Sequence, residues 1–124
     1  MRHYTLTLNE GQARLISKAT ELLARLHMGQ FDHLDFALNP AERFPDSLCY
    51  AMKAIMFPEL DGPTFYSISN EKLPDEARVA YDLHRVIRHR LAWDNHPEGD
   101  KWQVDFDEPR QLGAEPLAEI QEVE

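Results

Sequence analysis

Arg78, Arg85, Arg88 and Arg90 crowd the stretch Ala77–Trp93 and face a single acid there, Asp82. Guanidinium groups hold phosphate through paired N–H donors, so a cluster of them is a candidate anion site. Helical spacing puts Tyr81, His84, Arg85 and Arg88 on one surface, with His89 beside them. Trp93, Trp102 and Phe106 could stack on a nucleobase, and Asn95 or Asp105 could take ribose hydroxyls. The plainer alternative is a solvated polar face on which Arg78 and Asp82 make a local ion pair worth tenths of a kcal/mol. Residues such as Trp102 and Phe106 are more often core than ligand platform.

Charge contrast favours a local site. Beyond Trp93 only Lys101 and Arg110 offset a carboxylate-rich end that carries most of the chain's net charge of −9. Arginines concentrated against an acidic background can hold one anion without binding polyanions everywhere. General nucleic-acid binding, which draws its affinity from lysines and arginines on phosphates, is not expected. Catalytic signatures are missing: there is no phosphate-binding glycine loop, no Gly-x-Ser-x-Gly and no His-Glu-x-x-His. His27 and His33, and His84 and His89, lack the spacing of metal ligands on one helical face. Asp105 and Asp107 share one side of an extended segment, where a solvated face is expected rather than an acid pair. The reading is therefore no catalytic residues, no metal and no cofactor.

The elements that must position these groups follow from patterning. His3–Leu8 alternates, with Tyr4, Leu6 and Leu8 on one side, and predicts a short strand. Asn9 with Gln12 three residues on predicts a capping box, followed by a helix bearing the apolar residues Leu15, Ile16, Ala19, Leu22, Leu23 and Leu26. Gly29 ends that run. Short helices are expected over Gln30–Leu38 and Ser47–Phe57, and a loop over Pro58–Pro74 with Phe65, Tyr66 and Ile68 pinning it. Asp75–Asp94 predicts the longest helix, with Val79, Leu83, Val86, Ile87 and Leu91 inward. Trp102, Val104 and Phe106 alternate as a half-buried strand. The expected fold class is α+β: mostly helical, with a small antiparallel sheet made by the N-terminal and C-terminal strands. With 124 residues this is one domain, 1–124, ending in an acidic extended tail from about residue 113. No apolar run approaches the ~20 residues of a membrane span, and the N-terminus has no secretion-type apolar core. Cys49 alone cannot form an internal disulfide and reads as a small apolar residue, as a reducing cytoplasm would suit.

The order of a short strand, the helix opening Asn-Glu-Gly-Gln-Ala-Arg-Leu-Ile and the break Arg-Leu-His-Met-Gly-Gln-Phe continues into Ala-Tyr-Asp-Leu-His-Arg-Val-Ile-Arg-His-Arg-Leu-Ala-Trp. It closes with Val-Asp-Phe-Asp-Glu-Pro-Arg-Gln-Leu-Gly-Ala-Glu-Pro-Leu-Ala-Glu-Ile. This pattern resembles a group of small bacteriophage proteins, and within it the first described Thoeris anti-defence family. The resemblance covers both ends of the chain and leaves Asn39–Leu73 unmatched. It implies a protein of the host bacterial cytoplasm that binds cyclic ADP-ribose isomers, holds them without degrading them and assembles as a homodimer or larger homo-oligomer. The contacts implied would come from the Arg-rich helix and the segment after it, Arg88, Arg90, Trp93, Asn95 and Phe106, and with Arg85, Trp102 and Arg110 these make up the expected ligand-binding set. Relatives carry an Arg just before Glu-Pro, where this chain has Asp107 before Glu108-Pro109 and places Arg110 after it. A different class of function is an acidic protein-binding inhibitor, its tail imitating nucleic acid to block a host nuclease or a CRISPR complex.

Overall fold

The computed structural model describes residues 1–123. Its elements are α1 (Glu10–His27), α2 (His33–Leu38), α3 (Asp46–Met56) and α4 (Asp75–Asn95), followed by a single 3-10 turn, Val104–Phe106. The capping box forms as expected: Asn9 Oδ1 accepts from Gln12 N at 2.8 Å, and Asn9 N donates to Gln12 Oε1 at 3.0 Å. Gly29, at φ +87, turns the chain out of α1 with a backbone that L side chains rarely adopt. α2 starts three residues later than expected, and Asn39 in the left-handed region ends it.

The expected sheet does not form, and the fold is all-helical: no strand occurs among the described residues. His3–Leu8 carries no regular structure and finds no partner strand. Trp102–Phe106 is wound rather than extended, because its amides are satisfied locally. Trp102 N donates to Asp100 Oδ1, Phe106 N to Gln103 O and Asp107 N to Val104 O. Alternation of apolar residues measures which side chains lie two apart; it does not reveal whether a neighbouring strand exists to take the N–H groups.

α1 and α4 form the principal helix pair and run antiparallel, Glu10 meeting Asn95 at one end and His27 meeting Glu76 at the other. Small residues supply most of the contact: Ala13, Ser17 and Ala24 are buried on α1, and Ala77 and Ala80 on α4, beside the larger His84 and Ile87. The apolar stripe of α1 is therefore not its core face, since Leu15, Ala19 and Leu23 are exposed. A second cluster forms where the loop after α3 returns, with Met28, Tyr66, Leu73 and Ala77 packed against Phe57, Leu60 and Ile68. Tyr66 N donates to Met28 O, so that loop is pinned as expected, by Tyr66 more than by the exposed Phe65. Lys53 on α3 is buried and donates to Gly62 O and Thr64 O, closing the same loop.

Asp82 has a different partner from the one expected. It is buried on α4 and accepts from Leu112 N and Gly113 N at 2.9–3.1 Å, while Asp75 accepts from Ala114 N. Arg78 instead donates to Asn70 O and Leu73 O. The segment Leu112–Ala114 thus crosses α4 as a pinned strap, and Gly113 lies so close that an added Cβ would stand 2.9 Å from Val79 N. Replacing Asp82 by Ala leaves two amides without acceptors and should cost about 2 to 4 kcal/mol in urea unfolding. Gly113→Ala should also destabilise, by about 1 to 3 kcal/mol, through overpacking against backbone.

Candidate functional site

The groove between α1 and α4 opens into a cleft of about 290 Å³. Its floor and walls are the polar flank of the small-residue contact: Arg14, Ser17, Lys18 and Glu21 from α1, and His84, Arg88 and Asn95 from α4. Asp105 closes one side from the segment after α4. On α1 these residues recur at i, i+3, i+4 and i+7, and on α4 His84, Arg88 and Asn95 recur at i, i+4 and i+11, so each set shares one helical face. Three permanent cations, Arg14, Lys18 and Arg88, meet Glu21 and Asp105 in the lining, and Arg14 also pairs with Glu10 at 2.7 Å, so the cleft is balanced in charge within a chain of net −9.

His84 sits at the centre. Its imidazole is buried, with Nδ1 2.8 Å from Ser17 Oγ and Nε2 3.3 Å from Glu21 Oε2. Ser17 Oγ also lies 3.2 Å from the His84 carbonyl and can donate to it. Contact with His84 holds the Glu21 carboxyl down at about 2, Arg25 adding to the effect while burial opposes it. Neither His84 Nε2 nor Arg88 Nε has a well-aligned hydrogen-bond acceptor, although both are buried and each has a carboxylate oxygen within 3.3 Å. Two buried nitrogens left in that state have unused hydrogen-bonding capacity.

The order hydroxyl, imidazole, carboxylate invites comparison with a nucleophile relay. Ser17, however, lies in the middle of α1, where the surrounding amides are spent on helix hydrogen bonds. No backbone pair is then free beside the hydroxyl to stabilise an oxyanion. The arrangement brings hydrogen-bonding groups and cationic side chains together at one cleft.

Of the residues expected from sequence, Arg88 and Asn95 line the cleft. Asn95 Nδ2 donates to Glu10 Oε1 and Leu91 O, tying the two helix ends together. The others lie outside it. Arg85 stacks on the Tyr81 ring, which Arg25 flanks as well, and Arg90 pairs with Asp94. Trp93 meets Phe106 edge-to-face at 5.1 Å, and its indole N–H donates to His89. Trp102 is 84% exposed with Lys101 above it, and Arg110 is exposed. The expected convergence of arginines with all three aromatics is thus corrected: only Arg88 of the expected arginines enters the cleft. Asp105, which touches Arg88, connects the cleft to the aromatic group through its neighbour Phe106.

Sequence reasoning missed the contribution of α1. Arg14, Lys18 and Glu21 form a polar stripe at helical spacing, and a serine inside that helix was the available signal of an unusual neighbour. Among the described residues, no group of three or more His, Cys, Asp or Glu side chains is placed to hold a metal. Comparison with protein-family models, with characterised proteins and with solved structures finds no match.

Glu21 takes up its proton near pH 2 in the folded chain and near pH 4.5 when unfolded. The stabilisation is complete above about pH 4.5 and is lost as pH falls through the folded value. Thermal melts should show the melting temperature dropping across that window. Glu21→Gln should flatten the drop and lower the melting temperature at neutral pH.

Proposed function

We propose that this is a phage anti-defence protein that sequesters a cyclic nucleotide second messenger of the cyclic ADP-ribose isomer class and leaves it intact. The observation that carries the reading is the pair of buried nitrogens, His84 Nε2 and Arg88 Nε, which lack aligned hydrogen-bond partners and belong to residues lining a cleft with Arg14 and Lys18. A pyrophosphate would supply oxygens to these donors and displace Glu21 and Asp105 from their imperfect contacts. Asn95, at the cleft edge, is suited to a ribose hydroxyl, and the Trp93–Phe106 pair beyond Asp105 offers an aromatic surface for a base.

Size refines the reading. A cleft of about 290 Å³ lies at the lower limit for a drug-sized ligand, so it accommodates the phosphates better than a whole dinucleotide. Sequestration asks for affinity and no bond-making, which agrees with donors placed beside a serine that lacks an oxyanion site. The competing idea, a tail imitating nucleic acid, draws less support, because Leu112–Ala114 is strapped to α4 rather than presented to a partner.

Isothermal titration of the purified chain with cyclic ADP-ribose isomers, and separately with inorganic pyrophosphate, tests the proposal. Saturable binding of an isomer is expected, with the ligand recovered unchanged after heat denaturation of the protein. Arg88→Ala should weaken binding roughly tenfold or more, the loss of a charged hydrogen-bonding partner, whereas Trp102→Ala should leave it unchanged. Absence of heat with every isomer sinks the reading.

A further inference from the structure

We infer that the pocket where the turn after α1 meets α3 and the loop returning from it is a second ligand site, one that takes a small aromatic carboxylate. The pocket has a volume of about 200 Å³. Lys53 and Tyr50 line it from α3, Phe31 from the turn after α1 and Phe65 from the loop. None of these residues lines the cleft between α1 and α4, so this site holds whatever that cleft binds.

Lys53 is the unusual residue. It is only 4% exposed, although lysine is almost never buried without an opposite charge beside it. Its ammonium donates to Gly62 O and Thr64 O and makes no ion pair among the described residues. Two carbonyls occupy two of its three N–H donors, and a buried cation served by neutral groups alone keeps a strong preference for an anionic partner. Its stem is held in place: a Cβ on Gly29 would stand 3.4 Å from Lys53 Cδ, so the side chain packs against the turn where no other side chain intervenes.

Aromatic rings define the rest of the ligand. The Tyr50 ring lies 5.2 Å from Lys53 Nζ, and Tyr50 and Phe65 are 40% and 54% exposed, although Tyr66 pins the loop that carries Phe65. A flat ring laid against them would cover apolar surface that the chain itself leaves in water. The volume is below the ~300 Å³ at which drug-sized ligands begin and suits a single ring. Asp32 and Asp46 also line the pocket, offset by Lys53 and Arg43. Asp46 stands seven residues before Lys53, about 10 Å along the helix axis. Burial, with Arg25 adding to it, pushes His33 below its ordinary value and toward the neutral imidazole. A ligand with one negative charge is therefore accepted where a more highly charged phosphate would meet the two aspartates.

Amide chemical shifts of the full chain, followed during titration with benzoate, should change saturably at Gly29, Gly62 and Phe65. Benzamide keeps the ring without the charge and acetate keeps the charge without the ring; each should bind about tenfold more weakly or worse. Phe65→Ala removes a half-exposed ring and should weaken benzoate about threefold or more, with the spectrum elsewhere unchanged. Lys53→Met should abolish the preference for benzoate over benzamide. Because Lys53 also closes the loop, the benzoate and benzamide titrations of the wild-type chain decide the role of charge if that variant fails to fold. Trp102→Ala, at another exposed pairing of an aromatic ring with a lysine, should leave benzoate binding unchanged. The inference is overturned if benzoate gives no saturable change at millimolar concentration, or if benzamide or acetate binds as tightly. It is equally overturned if Phe65→Ala or a folded Lys53→Met behaves as wild type, or if Trp102→Ala is the change that removes binding.

Discussion

Small side chains between α1 and α4 set the rest of the molecule. Ala13, Ser17 and Ala24 on α1 and Ala77 and Ala80 on α4 are buried with the larger His84 and Ile87, so most of what lies between the two helix backbones is small. Close approach brings the flanking long side chains over the groove, so Arg14 and Lys18 come to face Arg88 and Asn95 across one cleft. It also fixes the rotation of α1, and that rotation turns the leucines away from the interior. The polar cleft and the apolar outer face are two results of one packing choice.

Carboxylates, numerous in this chain, serve mainly as acceptors for backbone and cations. Asp82 and Asp75 take the amides of Leu112, Gly113 and Ala114, and Asp100 takes that of Trp102. A C-terminal segment rich in acid and proline cannot build a helix of its own, and these acceptors hold it on α4 instead. Glu21 and Asp105 differ: they are close to His84 and Arg88, yet not aligned well enough to use the donors fully. Arg25 Nε and Asp35 Oδ2 are likewise buried without a hydrogen-bond partner, so what marks the cleft is that two such atoms, His84 Nε2 and Arg88 Nε, belong to residues lining one groove.

Helices with strong local signals were legible. Asn9 and Gln12 specify where α1 starts whatever lies nearby, and Pro74 with the acids after it starts α4. The arginine-rich face of α4 was also readable, since spacing alone puts His84, Arg85 and Arg88 together. Which arginine would enter a cleft was not, because α4 is contacted from more than one side. α1 covers the side bearing His84 and Arg88, the strap covers Asp82, and Phe106 covers Trp93. Arg85 and Arg90 found intrahelical partners, Tyr81 and Asp94, and were removed from the site by contacts only a few residues away.

By itself the sequence determined the starts of α1 and α4, the loop between α3 and α4 and the crowding of four arginines on α4, because these depend on groups within a few positions of each other. Tertiary structure decided the rotation of α1, the loss of both expected strands and the membership of the cleft. Each of these depends on which distant surface a segment meets. The leucine stripe of α1 says that one face seeks apolar company, yet within this chain the better fit was on the opposite face, where small residues admit α4.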